Sequence, residues 1–129
     1  MSFRRTPRTL RLAPVIGAHL GARVAAMPKI RLTVAYNQPP DPEVFYDHYE
    51  KVHVGLAKNI PGLESFEWSK VVATATGEAP RYALLAELTF PSMDDFGAGL
   101  GSEAGQAAAN DVGAFAANGA DMFISELAD

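Results

Sequence analysis

The sequence predicts an α+β domain of the ferredoxin-like kind, βαββαβ, with a four-stranded antiparallel sheet carrying its helical regions on one face and pairing into a dimeric α+β barrel. Three observations predict it. Three of four strand segments show the period of two, helical patterns separate the first segment from the second and the third from the fourth, and the third strand segment is apolar on both sides. A sheet covered by helices on one face leaves the other bare. A strand that is apolar on that face too calls for a second copy of the chain, so a homodimer is expected.

The first strand is read from Lys29 to Tyr36, with Ile30, Leu32, Val34 and Tyr36 on one face and Lys29, Arg31, Thr33 and Ala35 on the other. Asn37-Gln38-Pro39-Pro40 is a loop. Asp41-Pro42-Glu43 then starts a helix: a capping carboxylate, a proline whose missing N–H costs nothing in a first turn, and an acid beside the positive helix end. Phe45, Tyr49, Val52 and Leu56 form one apolar stripe of an α-helix, and Asp47, Glu50, Lys51 and Lys58 lie opposite. Gly55 weakens the helix by about 1 kcal/mol relative to alanine, which places a kink or a tightened turn just after His53. Asn59-Ile60-Pro61-Gly62 ends it.

The second strand is read from Leu63 to Val72, with Phe66, Trp68 and Val72 together, and Ala73 to Pro80 is a polar hairpin loop. Tyr82 to Phe90 is the two-sided apolar strand. Ser92 caps a short helix through Met93 to Phe96, which Gly97, Gly99 and Gly101 should cut off. Ser102-Glu103 restarts helix, ending between Asn110 and Gly113, and Asp121 to Leu127 alternates as the last strand.

Length and composition set the limits. The chain of 129 residues fits one domain, placed at 27–129, after a basic leader over 1–26. Five of the 11 basic residues (Arg4, Arg5, Arg8, Arg11, Arg23) stand in that leader and none of the 15 acidic ones does, so the remainder has 6 basic and 15 acidic residues, a net charge of −9. Nucleic acid, whose binding rests on neutralising phosphates, is a poor partner for such a body. The leader reads as a secretory signal with an interrupted core, as a serine-poor transit peptide, or as sequence upstream of a true start at Met27. The third reading is preferred, since Met27-Pro28-Lys29-Ile30 runs straight into the first strand. No apolar run is long enough to span a membrane, and a cytoplasmic location is expected. With no cysteine there are neither disulfides nor thiolate chemistry.

The two runs FYDHYEKVHVGLAKNIPGLESFEWS (45–69) and ELTFPSMDDFGAGLGSEAGQAAANDVGAF (87–115) resemble the EthD family of small dimeric α+β barrel proteins, named after a component of an ether-degradation gene cluster. The resemblance covers about Pro28 to Asp129 and rests on the spacing His53-x-x-Leu56-Ala57-Lys58-x-x-Pro61-Gly62-Leu63 with the downstream Ser102-x-x-x-Gln106-Ala107 segment. Family members often carry proline two residues after the histidine. This chain has Gly55, and both residues suit a local break in the helix. The resemblance implies the dimeric barrel, a recurrent histidine at His53, and an oxidoreductase or ether-degradation setting.

The expected site is a cavity between helices and sheet. His53, at the edge of the apolar stripe, is the candidate general acid or base on a small apolar or aromatic metabolite that is enolisable or phenolic. The bland alternative is a packed histidine bonded to a carbonyl or to Tyr36. His48 and His53 flank the apolar stripe on opposite sides, about 140° apart around the helix axis, so the two cannot share a metal, and His48 belongs at the surface or against a partner, with the cavity a lesser option. Tyr36, Tyr49 and Trp68 are first of all core residues that could also line the pocket. Glu87 is a candidate for proton transfer if buried alone, or an ordinary partner of Arg31 or Arg81. The glycines of GAGLGSEAG lack the strand-to-helix context of a phosphate loop, and no metal or organic cofactor is expected. Two functions remain open: an enzyme with His53 as acid/base, and a non-catalytic protein that holds an apolar intermediate for an oxidative degradation system.

Overall fold

The computed structural model describes residues 27–128, so the leader and its two readings as targeting sequence lie outside the described residues, as does Asp129. The elements are β1 (Ile30–Asn37), α1 (Pro42–His48), a π-helical segment (Tyr49–His53), α2 (Val54–Lys58), β2 (Ser65–Lys70), β3 (Tyr82–Phe90), α3 (Met93–Gly101), α4 (Glu103–Phe115) and β4 (Ala120–Glu126). The four strands form one antiparallel sheet in the order β2-β3-β1-β4, the ferredoxin-like arrangement. No helix among the described residues is long and apolar enough to cross a membrane.

Register assigns the two faces. Leu32, Val34 and Tyr36 of β1 pair with Leu88, Ala86 and Leu84 of β3, and Phe66 and Trp68 of β2 pair with the same Leu88 and Ala86. Cross-strand partners point the same way, so these residues make one apolar layer. Phe45, Tyr49 and Ala108 from the helical segments and Ile60 from the turn after α2 complete the buried core. The other face carries Arg31, Thr33, Leu85, Glu87 and Thr89, where Arg31 bonds to Thr89 through Nε at 3.3 Å and faces Glu87 across 3.9 Å.

Three helix caps follow from the residues that predict them. Asp41 Oδ1 accepts from Val44 N at 3.3 Å, Ser92 Oγ from Asp95 N at 3.1 Å, and Ser102 Oγ from Gly105 N at 3.0 Å. Two expectations fail in the same region. Helix α3 runs on to Gly101 instead of stopping at Phe96, and α4 runs to Phe115. Propensity is overridden by close packing: a Cβ on Gly99 would stand 2.5 Å from the Pro61 carbonyl oxygen and 3.0 Å from the Phe90 ring, so glycine there lets α3 lie against the chain end of α2.

The first helix is interrupted earlier than expected, and it widens instead of tightening. The break is the π segment, in which Val54 N–H reaches back five residues to the Tyr49 carbonyl. One residue is in effect inserted, and the inward stripe shifts by one. Val52, expected in the stripe, is 43% exposed, and the buried positions become Phe45, Tyr49, His53 and Ala57. Gly55 sits in regular α2 with open space around its Cα.

Candidate active site

The π segment turns His53 from the edge of the stripe into its centre. His53 is 5% exposed and borders an apolar cavity of about 70 Å³ between helices and sheet, with Tyr36, Ala57, Phe66, Ala108 and Met122 among its lining. Nδ1 of His53 lies 2.9 Å from Oδ2 of Asp111 on α4, and Nε2 lies 3.5 Å from the Tyr36 hydroxyl. An ionised carboxylate only accepts, so Nδ1 carries the ring proton and donates it to Asp111. Nε2 is left with its lone pair on the side of Tyr36 and the cavity.

His48 arrives at the same carboxylate. Its Nε2 stands 2.8 Å from Oδ1 and 3.0 Å from Oδ2 of Asp111, so the geometry of an uninterrupted helix, with the two rings on opposite sides, does not hold. The extra residue of the π segment brings positions five apart onto one side of the helix. Phe115, one turn after Asp111, packs beneath both rings, 4.9 Å from His48 and 5.1 Å from His53. His48 remains partly open to solvent, its side chain 33% exposed, whereas Asp111 is 13% exposed. Among the described residues no group of three acids and histidines is arranged to hold a metal ion.

Burial controls the proton affinities. It lowers the pKa of His53 below its ordinary value, an effect that the hydrogen bond and charge of Asp111 oppose and that His48 adds to. The ring is therefore neutral at neutral pH. Burial, then the charge of Asp111, pushes the Tyr36 hydroxyl far above the ordinary tyrosine range, and burial, then Tyr36, does the same to Tyr49. Both tyrosines stay protonated and act only as neutral hydroxyls.

The remaining candidates divide. Tyr49 is fully buried behind His53, 5.2 Å from its ring, and its hydroxyl has no hydrogen-bond partner among the described residues. Trp68 packs edge-on against Tyr49 at 5.0 Å, a second layer behind the cavity wall. Glu87 projects from the opposite face of the sheet toward Arg31, away from the cavity. Asp111, which joins the two histidines, was not singled out from sequence. Its signal was an acid at the margin of the stripe Gly105, Ala108, Val112, Phe115, on a helix that is otherwise mostly alanine and glycine.

The EthD domain model matches residues 37–119. An uncharacterized 11.0 kDa protein in the thcB–thcC intergenic region of Rhodococcus erythropolis is 38% identical over 96 residues, which cover 74% of this chain and 92% of that protein. A solved EthD family protein from Bacillus halodurans superposes with a TM-score of 0.73 at 26% identity, covering 78% of this chain and 99% of that one. A solved dimeric ferredoxin-like protein of unknown function from Thermobifida fusca superposes with a TM-score of 0.59 at 16% identity, covering 80% and 92%, a likeness of fold. The family model spans well over half of the chain, and a curated relative matches it along most of its length: the protein belongs to the EthD family.

Proposed function

We propose that this protein is an enzyme in which His53 transfers a proton to or from a small, neutral, apolar or aromatic metabolite, in an oxidoreductase or degradation-pathway setting. The observation that carries the reading is the orientation of His53: Asp111 holds Nδ1, and Nε2 is left facing an apolar cavity. A neutral imidazole beside a cavity is a competent base at neutral pH, and its imidazolium is a competent acid. The Tyr36 hydroxyl, kept protonated by burial, supplies a donor to an oxygen on which negative charge develops while Nε2 takes the neighbouring proton. None of the residues lining the cavity is lysine or arginine, which supports a neutral substrate. The proton transfer itself calls for neither a metal nor an organic cofactor.

A homodimer belongs to the same proposal. On edge strand β4, Met122 and Ile124 on the cavity side are 51% and 56% exposed and Phe123 on the opposite face is 55% exposed, so apolar side chains stand open on both faces beside a free strand edge, and the related Thermobifida fold is described as dimeric. Phe123→Glu is expected to shift the protein toward monomer in sedimentation. A wild-type chain that sediments as a monomer at micromolar concentration would remove this part.

The test of catalysis does not require the natural substrate. A panel of small enolisable ketones and phenols is incubated with the protein in deuterium oxide, and deuterium uptake at carbon is followed by NMR. The wild type is expected to accelerate uptake in some members, and His53→Gln to lose roughly 10²–10⁴-fold of the acceleration, the usual scale of a general base. Equal rates for wild type and His53→Gln would overturn the reading. A second reading, a non-catalytic carrier of an apolar intermediate, is favoured by the cavity's sparse polar lining, in which His53 and Tyr36 carry the side-chain polar groups. Bound ligand with no deuterium uptake in either protein would support the carrier.

A further inference from the structure

We propose that His48 and His53 share a single positive charge across Asp111, so that when His53 gains a proton on the cavity side, His48 gives one up to solvent. This rests on His53 acting as a base but concerns a residue that touches neither the cavity nor a bound molecule. His48 is thus a positioning residue.

The geometry comes first. Asp111 is bonded from both sides, by Nδ1 of His53 at 2.9 Å and by Nε2 of His48 at 2.8 Å, and it is largely shielded from water. One buried carboxylate balances one imidazolium. A second imidazolium on the same carboxylate leaves a net positive charge with little solvent around it. The two rings are therefore anticooperative, and their proton uptake belongs to the pair.

The two ends differ in access. His53 is enclosed, and the groups facing it are Tyr36 from β1, Tyr49 from the π segment, Asp111 from α4 and His48 itself. His48 opens onto a surface depression shared with Glu43, Asp47 and Lys51, where Lys51 is already paired with Asp47 at 2.7 Å. The step balances as follows. A proton passes from the bound molecule to Nε2 of His53, Nδ1 of His53 keeps its bond to Asp111, and the Nδ1 proton of a cationic His48 leaves to water. No proton needs to cross Asp111. When His53 returns its proton to the product, His48 recovers one from water, and the charge at Asp111 is again balanced.

The test reads the imidazoles directly by ¹⁵N NMR titration, independent of any substrate or turnover. In the wild type the two rings are expected to titrate in two steps, each showing an inflection at the other's midpoint. In His48→Gln, which keeps a donor to Asp111 but cannot become charged, His53 is expected to titrate in one step with its midpoint raised by about one pH unit. Independent single-step curves in the wild type would overturn the proposal, as would a His53 curve unchanged by His48→Gln. If His48→Gln fails to fold, the wild-type curves decide alone. Coupled rings without deuterium uptake would leave this inference standing and remove the catalytic reading.

Discussion

His48 and His53 stand five residues apart and bind the two edges of one carboxylate, Asp111, at 2.8 Å and 2.9 Å. An α-helix cannot do this, because five residues separate the two side chains by about 140° around the axis. The π segment Tyr49–His53 removes that separation and in the same step exchanges Val52 for His53 at the inward position. A single backbone irregularity thus makes the difference between two histidines on opposite sides of a helix and a His–Asp–His cluster beside a cavity.

Folding stability should depend on pH through His53. Its pKa is lowered in the folded state by burial, whereas in the unfolded chain it returns to about 6.5. Below that value the unfolded chain binds the extra proton first. The stability contributed by neutral His53 is therefore present above about pH 6.5 and is lost as pH falls from there through the folded-state value. Urea midpoints of the wild type should fall on acidification through this window more steeply than those of His53→Gln; parallel pH profiles would contradict the assignment.

Tyr49→Phe should leave the fold intact and raise its stability by up to about 1 kcal/mol. The Tyr49 hydroxyl is fully buried without a hydrogen-bond partner among the described residues, and such a group costs about 1–3 kcal/mol of desolvation. The ring, packed against Tyr36, Phe45 and Trp68, is retained. A loss of more than about 1 kcal/mol in denaturant unfolding would mean that the hydroxyl is bonded in solution.

Two glycines of the α3–α4 region should respond in opposite directions. A Cβ at Gly105 would collide with the carbonyl oxygens of Gly99 and Leu100, so Gly105→Ala should destabilise by about 1–3 kcal/mol. Gly97 lies in α3 with open space around it, and Gly97→Ala should stabilise by about 0.5–1 kcal/mol. Thermal midpoints check both.

Much of this was legible in the sequence, for physical reasons that differ by element. The strands were readable because alternation at Ile30, Leu32, Val34, Tyr36 and the two-sided apolar run from Tyr82 to Phe90 report burial directly, and Asp41, Ser92 and Ser102 announced their helices through capping chemistry. Helix ends were less readable where glycine appeared costly, because the contact that favours Gly99 is with Pro61, distant in sequence. The cluster itself was only half legible. His53 and Tyr36 could be named as candidates, but a wheel drawn at 100° per residue assumes an uninterrupted α-helix, and the π segment breaks that assumption where the histidines lie. Asp111 was hidden for a related reason: its partners are 63 and 58 residues away, and nothing local marks an acid in an alanine-rich helix as paired.

The most direct test is the tautomer of His53 at neutral pH, read from the ¹⁵N shifts and couplings of its ring. A neutral ring protonated at Nδ1 with Nε2 bare, changing on Asp111→Asn, is the predicted result. A ring protonated at Nε2 in the resting protein, or one indifferent to Asp111→Asn, would contradict the account.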